Sequence, residues 1–286
     1  MPRVILTGAT GYLGSNIAKK LIDNNYQLLC LLLRDAPISY LAPYIDRVDI
    51  LYTDDLVLNK VLIEYEPDII IHTACRYDRD GQALDSLLDA NLIFPLRVLD
   101  AISNLLKPAF WINTNTALDT MLNAYSLSKH QLSEWGKFYS LQKKVHFCNI
   151  LLEQFYGIGD SGSKLFPFLL AKMKNNEPIN LTEGYQHRDL IYLEDVVDAY
   201  LMLCDIKPDG YRDVPLGTGE APTIREVVEY LKAITGSTSQ LNFGKIPYRD
   251  REPDISIANT EQINSLGFYC KYNWREGLLK LKEVFV

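Results

Sequence analysis

Short continuous apolar runs alternate along this chain with stretches whose apolar residues recur at helical spacing. The runs fall at 4–6, 28–33, 48–52, 69–72, 110–112 and 145–152, and several have no polar alternation at all. Continuous apolar strands suit a sheet covered on both faces, which is the condition of a parallel sheet sandwiched between helices. Helical spacing occurs at 15–23, 59–65, 82–105 and 125–141. The alternation predicts a Rossmann-type, doubly wound α/β fold with a parallel sheet. Beyond about Gly157 the elements shorten and Gly, Asp and Pro collect in loops, as at 157–163 and 207–222. This predicts a dinucleotide-binding domain over 1–156, with a returning segment near 190–205, and a smaller substrate-binding lobe over 157–286.

The first strand runs directly into Thr7-Gly8-Ala9-Thr10-Gly11-Tyr12-Leu13-Gly14, and a helix follows. In that setting Gly8 makes the tight turn, Gly11 admits a pyrophosphate to the backbone, and Gly14 lets helix and strand pack closely. The helix start faces the phosphates. At the end of the second strand stand Arg34 and Asp35. An arginine there pairs with a 2′-phosphate, whereas an acid accepts a free 2′-hydroxyl. Arg34 is the first polar residue off the strand and favours NADP(H); Asp35 keeps NAD(H) open. After the third strand, Asp55 and Leu56 fall where the adenine edge would lie, although paired aspartates such as Asp54-Asp55 also form ordinary turns.

Tyr125 and Lys129 stand at i and i+4, one helical turn apart on one face. An ammonium beside a phenol favours phenolate and lowers its pKa from about 10, so the pair can exchange a proton with a carbonyl or alcohol oxygen. Tyr139 and Lys143 repeat the spacing, but about 21 Å further along the helix, too far from the strand ends. A hydroxyl from the preceding strand completes such a site. Thr114 and Thr116 both qualify; Thr114 has the better register, with the role of donating a hydrogen bond to the reacting oxygen.

Composition narrows the partners. With 29 basic against 36 acidic residues the chain carries a formal charge of -7, which argues against nucleic-acid or membrane-surface binding. No apolar run reaches the ~20 residues of a membrane span and no signal layout precedes the first strand, so a cytoplasmic protein is expected. The five cysteines lie far apart without a CxxC pair and predict buried thiols, with no metal site.

Together these motifs resemble the extended short-chain dehydrogenase/reductase family of NAD(P)-dependent nucleotide-sugar enzymes. The likeness continues through His72-Thr73-Ala74, Asn91, Phe155-Tyr156-Gly157, the segment Arg188-Asp189-Leu190-Ile191-Tyr192 with Asp195, and Arg249-Asp250-Arg251-Glu252-Pro253. The stretches 113–116, 123–129 and 152–157 look most like reductases of nucleotide-linked 4-keto-6-deoxyhexoses. The resemblance implies cofactor contacts from Thr73, Ala74 and Asn91 besides the glycine loop, Tyr125 and Lys129. It implies substrate contacts from Thr116, Gln154, Lys164, Phe166, Arg188 and Arg249, the two arginines holding a diphosphate, and a possible homodimer through the helices at 82–105 and 125–141. Arg251 and Asp195 read as a surface charge and a helix-start acid, and His72 as a packed strand-end residue. Gly217-Thr218-Gly219 imitates a phosphate loop, but Thr223-Ile224-Arg225-Glu226 reads as a capping box, so the glycines shape that turn.

Departures from the family sharpen the chemistry. Dehydratases carry an Asp-Glu pair where Asn115 and Thr116 stand, and epimerase-reductases carry a cysteine and a histidine in place of Thr116 and Gly159. Hydride transfer at one carbon, the C4 ketone, is what remains. The eleven-residue step from Thr114 to Tyr125 is shorter than the family's usual spacing. A 4-epimerase that keeps its NAD bound, and a non-catalytic NAD(P)-binding sensor on the same fold, are the alternative readings.

Overall fold

The computed structural model describes residues 1–53, 58–77 and 83–283. They form two compact units, one built from Met1–Leu151 and Val197–Val214, the other from Leu152–Val196 and Pro215–Val286.

The first unit is organised by β1 (Arg3–Thr7), β2 (Gln27–Leu32), β3 (Asp49–Tyr52), β4 (Ile69–His72), β5 (Ala109–Thr116) and β6 (Val145–Leu152). With the strand Tyr211–Leu216 they make a seven-stranded sheet in the order Tyr211–Leu216, β6, β5, β4, β1, β2, β3. Pairing is parallel from β3 through β2, β1 and β4 to β5. The reversal of strand order beside β1 is the doubly wound signature. Every residue of β4 is buried, as a strand covered on both faces requires.

Helices α1 (Tyr12–Asp23), α2 (Leu58–Tyr65), α3 (Leu84–Leu88), α4 (Phe94–Ile102) and α5 (Ala124–Leu141) connect these strands. The continuous helix expected over 82–105 is corrected: a π-helical turn, Asp89–Ile93, separates α3 from α4. Pro95 lies in the first turn of α4 and has no N–H to continue a regular ladder, so the widened turn takes up the mismatch. Strand β5 also outruns its expected 110–112 and carries Thr114 and Thr116 on one face, with Asn113 and Asn115 on the other. Its core joins Ile5, Ile70, Trp111 and Phe147 to Val98, Leu99 and Ile102.

The second unit holds α6 (Leu165–Lys174), α8 (Ile224–Thr235) and the helix Trp274–Lys282, together with the start of α7 (Leu193–Ile206), which continues into the first unit. Its core gathers Tyr156, Phe166, Leu169, Val227, Trp274 and Leu278. The capping box that opens α8 is present: the Glu226 N–H donates to Thr223 Oγ1 (3.1 Å) and the Thr223 N–H donates to Glu226 Oε2 (2.8 Å). Gly236, at φ 67°, ends the helix in the left-handed conformation that a side chain resists. Among the described residues, no helix is long and apolar enough to cross a membrane.

Candidate active site

The glycine loop is built so tightly that Gly8 and Gly14 tolerate no side chain. A Cβ at Gly14 would lie 2.1 Å from the Gly8 carbonyl oxygen, and one at Gly8, whose φ is +74°, would lie 2.6 Å from the Ala74 nitrogen. Gly11 caps α1 without a side-chain hydrogen bond, so the first turn at Tyr12, Leu13 and Gly14 presents an uncapped helix start. The residues of this loop fit the pyrophosphate of a dinucleotide. Thr7 and Thr73 act differently from the loop: their side chains turn inward. Thr7 is fully buried, with Oγ1 2.7 Å from His72 Nδ1 and accepting the Ala74 N–H at 3.3 Å, while Thr73 Oγ1 donates to the Thr7 carbonyl at 2.7 Å. They tie β1 to the loop after β4. Burial, and then the Lys129 charge, hold the His72 imidazole well below its ordinary pKa, which keeps it a neutral packed residue.

Arg34, just beyond the end of β2, lies over the ring of Tyr52, the last residue of β3, 4.4 Å from its centroid. Asp55 and Leu56 lie outside the described residues.

Asn123 starts α5 by accepting the Ser126 N–H at 2.8 Å. The short β5–α5 connection is held from the helix: His130 Nε2 is 3.0 Å from the Leu118 carbonyl, and Ser126 Oγ donates to the Asp119 carbonyl. That pinning explains how a step of eleven positions suffices from Thr114 to Tyr125. Thr116 contributes from the strand side, where its buried Oγ1 accepts the Leu118 N–H at 3.2 Å. One turn into α5, Lys129 is 1% exposed. Asn91, buried in the π-turn, donates to Ser128 Oγ (3.0 Å) and to the Arg76 carbonyl (2.9 Å) and accepts the Arg76 N–H (2.7 Å). It therefore holds the catalytic helix to the loop after β4.

The electrostatics correct one expectation. Burial, and then Cys75, Tyr77 and Tyr200, push the Tyr125 phenol well above its ordinary pKa, and burial pulls Lys129 down while Cys75 opposes that shift. Desolvation dominates, and Tyr125 is held as a neutral phenol. Its ring packs on Tyr77 with centroids 5.1 Å apart. Thr114 Oγ1 lies 2.6 Å from the hydroxyl of Tyr200 on α7. Tyr77, Cys75 and Tyr200 were not singled out from the sequence, and no local motif marks them. The duplicate pair dissolves: Tyr139 donates to Asp100 at 2.8 Å, and Lys143 falls beyond the end of α5.

In the second unit the expected substrate residues divide. Phe166 is a core residue, 3% exposed, with its ring centroid 4.5 Å from that of Tyr156, so it is not available to a ligand. Gln154 is exposed and Lys164 half-buried at the start of α6. Arg188 is largely buried, donating to Glu252 Oε1 (2.7 Å) and to the His187 carbonyl (2.7 Å), whereas the Arg249 side chain is exposed. Arg251 is exposed, and Asp195, in the first turn of α7, is fully buried and accepts the N–H groups of Lys271 and Tyr272. Gly217-Thr218-Gly219 does hold an anion, but the protein's own. The buried Asp189 carboxylate accepts from Thr218 N (2.8 Å), Thr218 Oγ1 (2.7 Å), Gly219 N (2.9 Å) and Ala258 N (3.2 Å).

A doubly wound sheet, a closed glycine cradle, and a phenol and ammonium one helical turn apart define an NAD(P)-dependent oxidoreductase. The profile of the NAD dependent epimerase/dehydratase family matches residues 4–213, and the chain belongs to that family. It is 31% identical over 287 residues to the CDP-abequose synthase of Salmonella muenchen, covering 98% of this chain and 96% of that protein. The CDP-abequose synthase of Salmonella typhimurium is 27% identical over 298 residues, covering 97% and 96%. Among solved structures, the UDP-glucose 4-epimerase of Thermotoga maritima with UDP-glucose superposes with a TM-score of 0.83 at 20% identity, covering 99% of this chain and 98% of that one.

Proposed function

We propose that the chain uses NADPH to reduce the C4 ketone of a CDP- or dTDP-linked 4-keto-6-deoxyhexose, making a deoxysugar donor for cell-surface polysaccharide. The observation that carries this reading is the character of the residues around Thr114 and Tyr125. Asn115 and Thr116 follow Thr114 on β5 and are both buried, and neither is a carboxylate. Tyr125 thus stands as the proton carrier, and its environment keeps it protonated. A site whose proton carrier is a phenol, with no carboxylate beside it, suits reduction, in which the enzyme gives one proton to the forming alcohol, better than dehydration, which needs a paired acid and base. The similarity to two CDP-abequose synthases supports the same substrate class.

The roles follow. The glycine loop and the start of α1 hold the pyrophosphate, Ala74 lines that cradle, and Arg34 pairs with the 2′-phosphate that distinguishes NADPH from NADH. When bound, the dinucleotide supplies the hydride. Lys129 holds the nicotinamide ribose, Tyr125 gives its proton to the C4 oxygen and regains one from solvent, and Thr114 hydrogen-bonds that oxygen as charge develops on it. Gln154, Lys164 and the exposed Arg249 are the residues of the second unit assigned to the nucleotide sugar, while Arg188, already paired with Glu252, shapes the loop that carries Arg249. The protein acts as a cytoplasmic homodimer that associates through α5, whose Trp135, Phe138 and Leu141 are 44%, 50% and 75% exposed.

The test is loss of NADPH absorbance with CDP- and dTDP-4-keto-6-deoxyhexoses, repeated with NADH. Turnover with NADPH is expected, and Tyr125→Phe is expected to abolish it while NADPH binding stays within about twofold of wild type, since the hydroxyl serves chemistry more than affinity. A wild-type rate in that variant would overturn the assignment. Stoichiometric bound NAD without net NADPH consumption would mark a 4-epimerase instead.

A further inference from the structure

We propose that Tyr200 is a positioning residue: its phenol donates to Thr114 Oγ1 and so turns the threonine's own O–H outward, toward the carbonyl oxygen that is being reduced. The inference rests on the role of Thr114 given above.

The two oxygens are 2.6 Å apart, and either could be the donor on distance alone. Chemistry decides between them. Tyr200 is 1% exposed, and Thr114 is its only hydrogen-bond partner among the described residues. A buried hydroxyl with a single neighbour must bond to it or leave a polar group unmet, at a cost of about 1–3 kcal/mol. A phenol is the stronger acid and an aliphatic hydroxyl the more basic acceptor, so the proton lies between them on the tyrosine's side. Burial, the largest influence on Tyr200, raises its pKa and outweighs the lowering from the hydrogen bond with Thr114, so the proton stays on the phenol.

The direction of this bond fixes what Thr114 can do. Were Thr114 the donor to Tyr200, it would offer the substrate only lone pairs, and lone pairs repel an oxygen gaining negative charge. As acceptor from Tyr200, Thr114 keeps its proton for the substrate. Donation from the phenol also polarises the threonine O–H, because hydrogen bonds in a chain strengthen one another. Placement agrees: Thr114 is near the end of β5 and half-buried, and Tyr200 lies close enough to Tyr125 to raise that phenol's pKa. The two phenols thus serve different ends of one event, Tyr125 delivering a proton and Tyr200 aiming a donor.

A double-mutant cycle tests this, using NADPH with the CDP- and dTDP-4-keto-6-deoxyhexoses and the full-length variants Tyr200→Phe, Thr114→Val and both together. Tyr200→Phe keeps the ring and loses one hydroxyl; kcat is expected to fall about tenfold, one hydrogen bond's worth, with KM for NADPH unchanged. Thr114→Val should fall further, and the double variant should match Thr114→Val, because with the threonine hydroxyl gone Tyr200 has nothing to aim. Losses that multiply in the double variant, or a wild-type kcat in Tyr200→Phe, overturn the proposal while leaving the reductase reading intact. A wild-type kcat in Thr114→Val overturns the role of Thr114 and this proposal with it. Should Tyr200→Phe fail to fold, 3-fluorotyrosine at position 200, a more acidic phenol and stronger donor, is expected to hold or raise kcat on the acid side of neutrality. A fall there would overturn the proposal.

Discussion

Glu153 is a carboxyl that the fold prefers protonated. It is 7% exposed and accepts from Ser256 Oγ at 2.6 Å. Burial pushes its pKa from 4.5 up to about 7; Asp189 adds to the rise, and the Ser256 hydroxyl and Arg188 only partly oppose it. The folded state therefore binds this proton more tightly than the unfolded chain does. The stability linked to it is full below about pH 4.5 and is lost as pH climbs through about 7. Glu153→Gln, a neutral mimic of the protonated form, should be more stable than wild type at pH 8, by about 3 kcal/mol, and close to it below about pH 4.5. Thermal unfolding of both proteins across that range checks this; a difference that does not vary with pH would disprove the linkage.

The next scale up is the contact between α5 and β6, where a missing side chain is what lets two elements meet. A Cβ on Gly136 would lie 2.3 Å from ring carbons of Phe147. Phe147 cannot yield, because it is fully buried and stacked between Trp111 and Tyr211 with centroids 6.0 and 5.9 Å away. Alanine would gain helix propensity of about 1 kcal/mol, but overpacking a rigid core costs about 1–3 kcal/mol. Gly136→Ala is thus expected to lower the melting temperature by about 2–4 °C, and calorimetry will show the sign. What the sequence reveals at this scale divides by distance along the chain. The glycine loop, the Tyr125 and Lys129 spacing and the box at Thr223 and Glu226 are local patterns whose geometry follows from φ preferences and helical period. The contact from Thr114 to Tyr200 spans 86 residues, and nothing in either neighbourhood encodes it. Phe166 shows the converse limit: a position near a ligand-facing segment says nothing of depth, and packing against Tyr156 claimed the ring. The π-turn escaped because a hydrophobic period cannot register one residue of widening.

At the scale of the molecule, the exposed apolar residues of α5 are the surface through which the proposed homodimer would associate. Trp135→Glu combined with Phe138→Glu should convert a dimer to a monomer in sedimentation while leaving the circular dichroism spectrum unchanged; a wild-type sedimentation profile would place the contact elsewhere. The Asp189 carboxylate has a consequence for redesign. The turn at 217–219 and the backbone at Ala258 hang from that one acid, and a Cβ on Gly217 would come within 2.4 Å of it. These pieces form a single cassette. Transplanting either segment alone from a relative strands an anion inside the protein; a workable graft carries the acid, the glycines and the 258 backbone as one part.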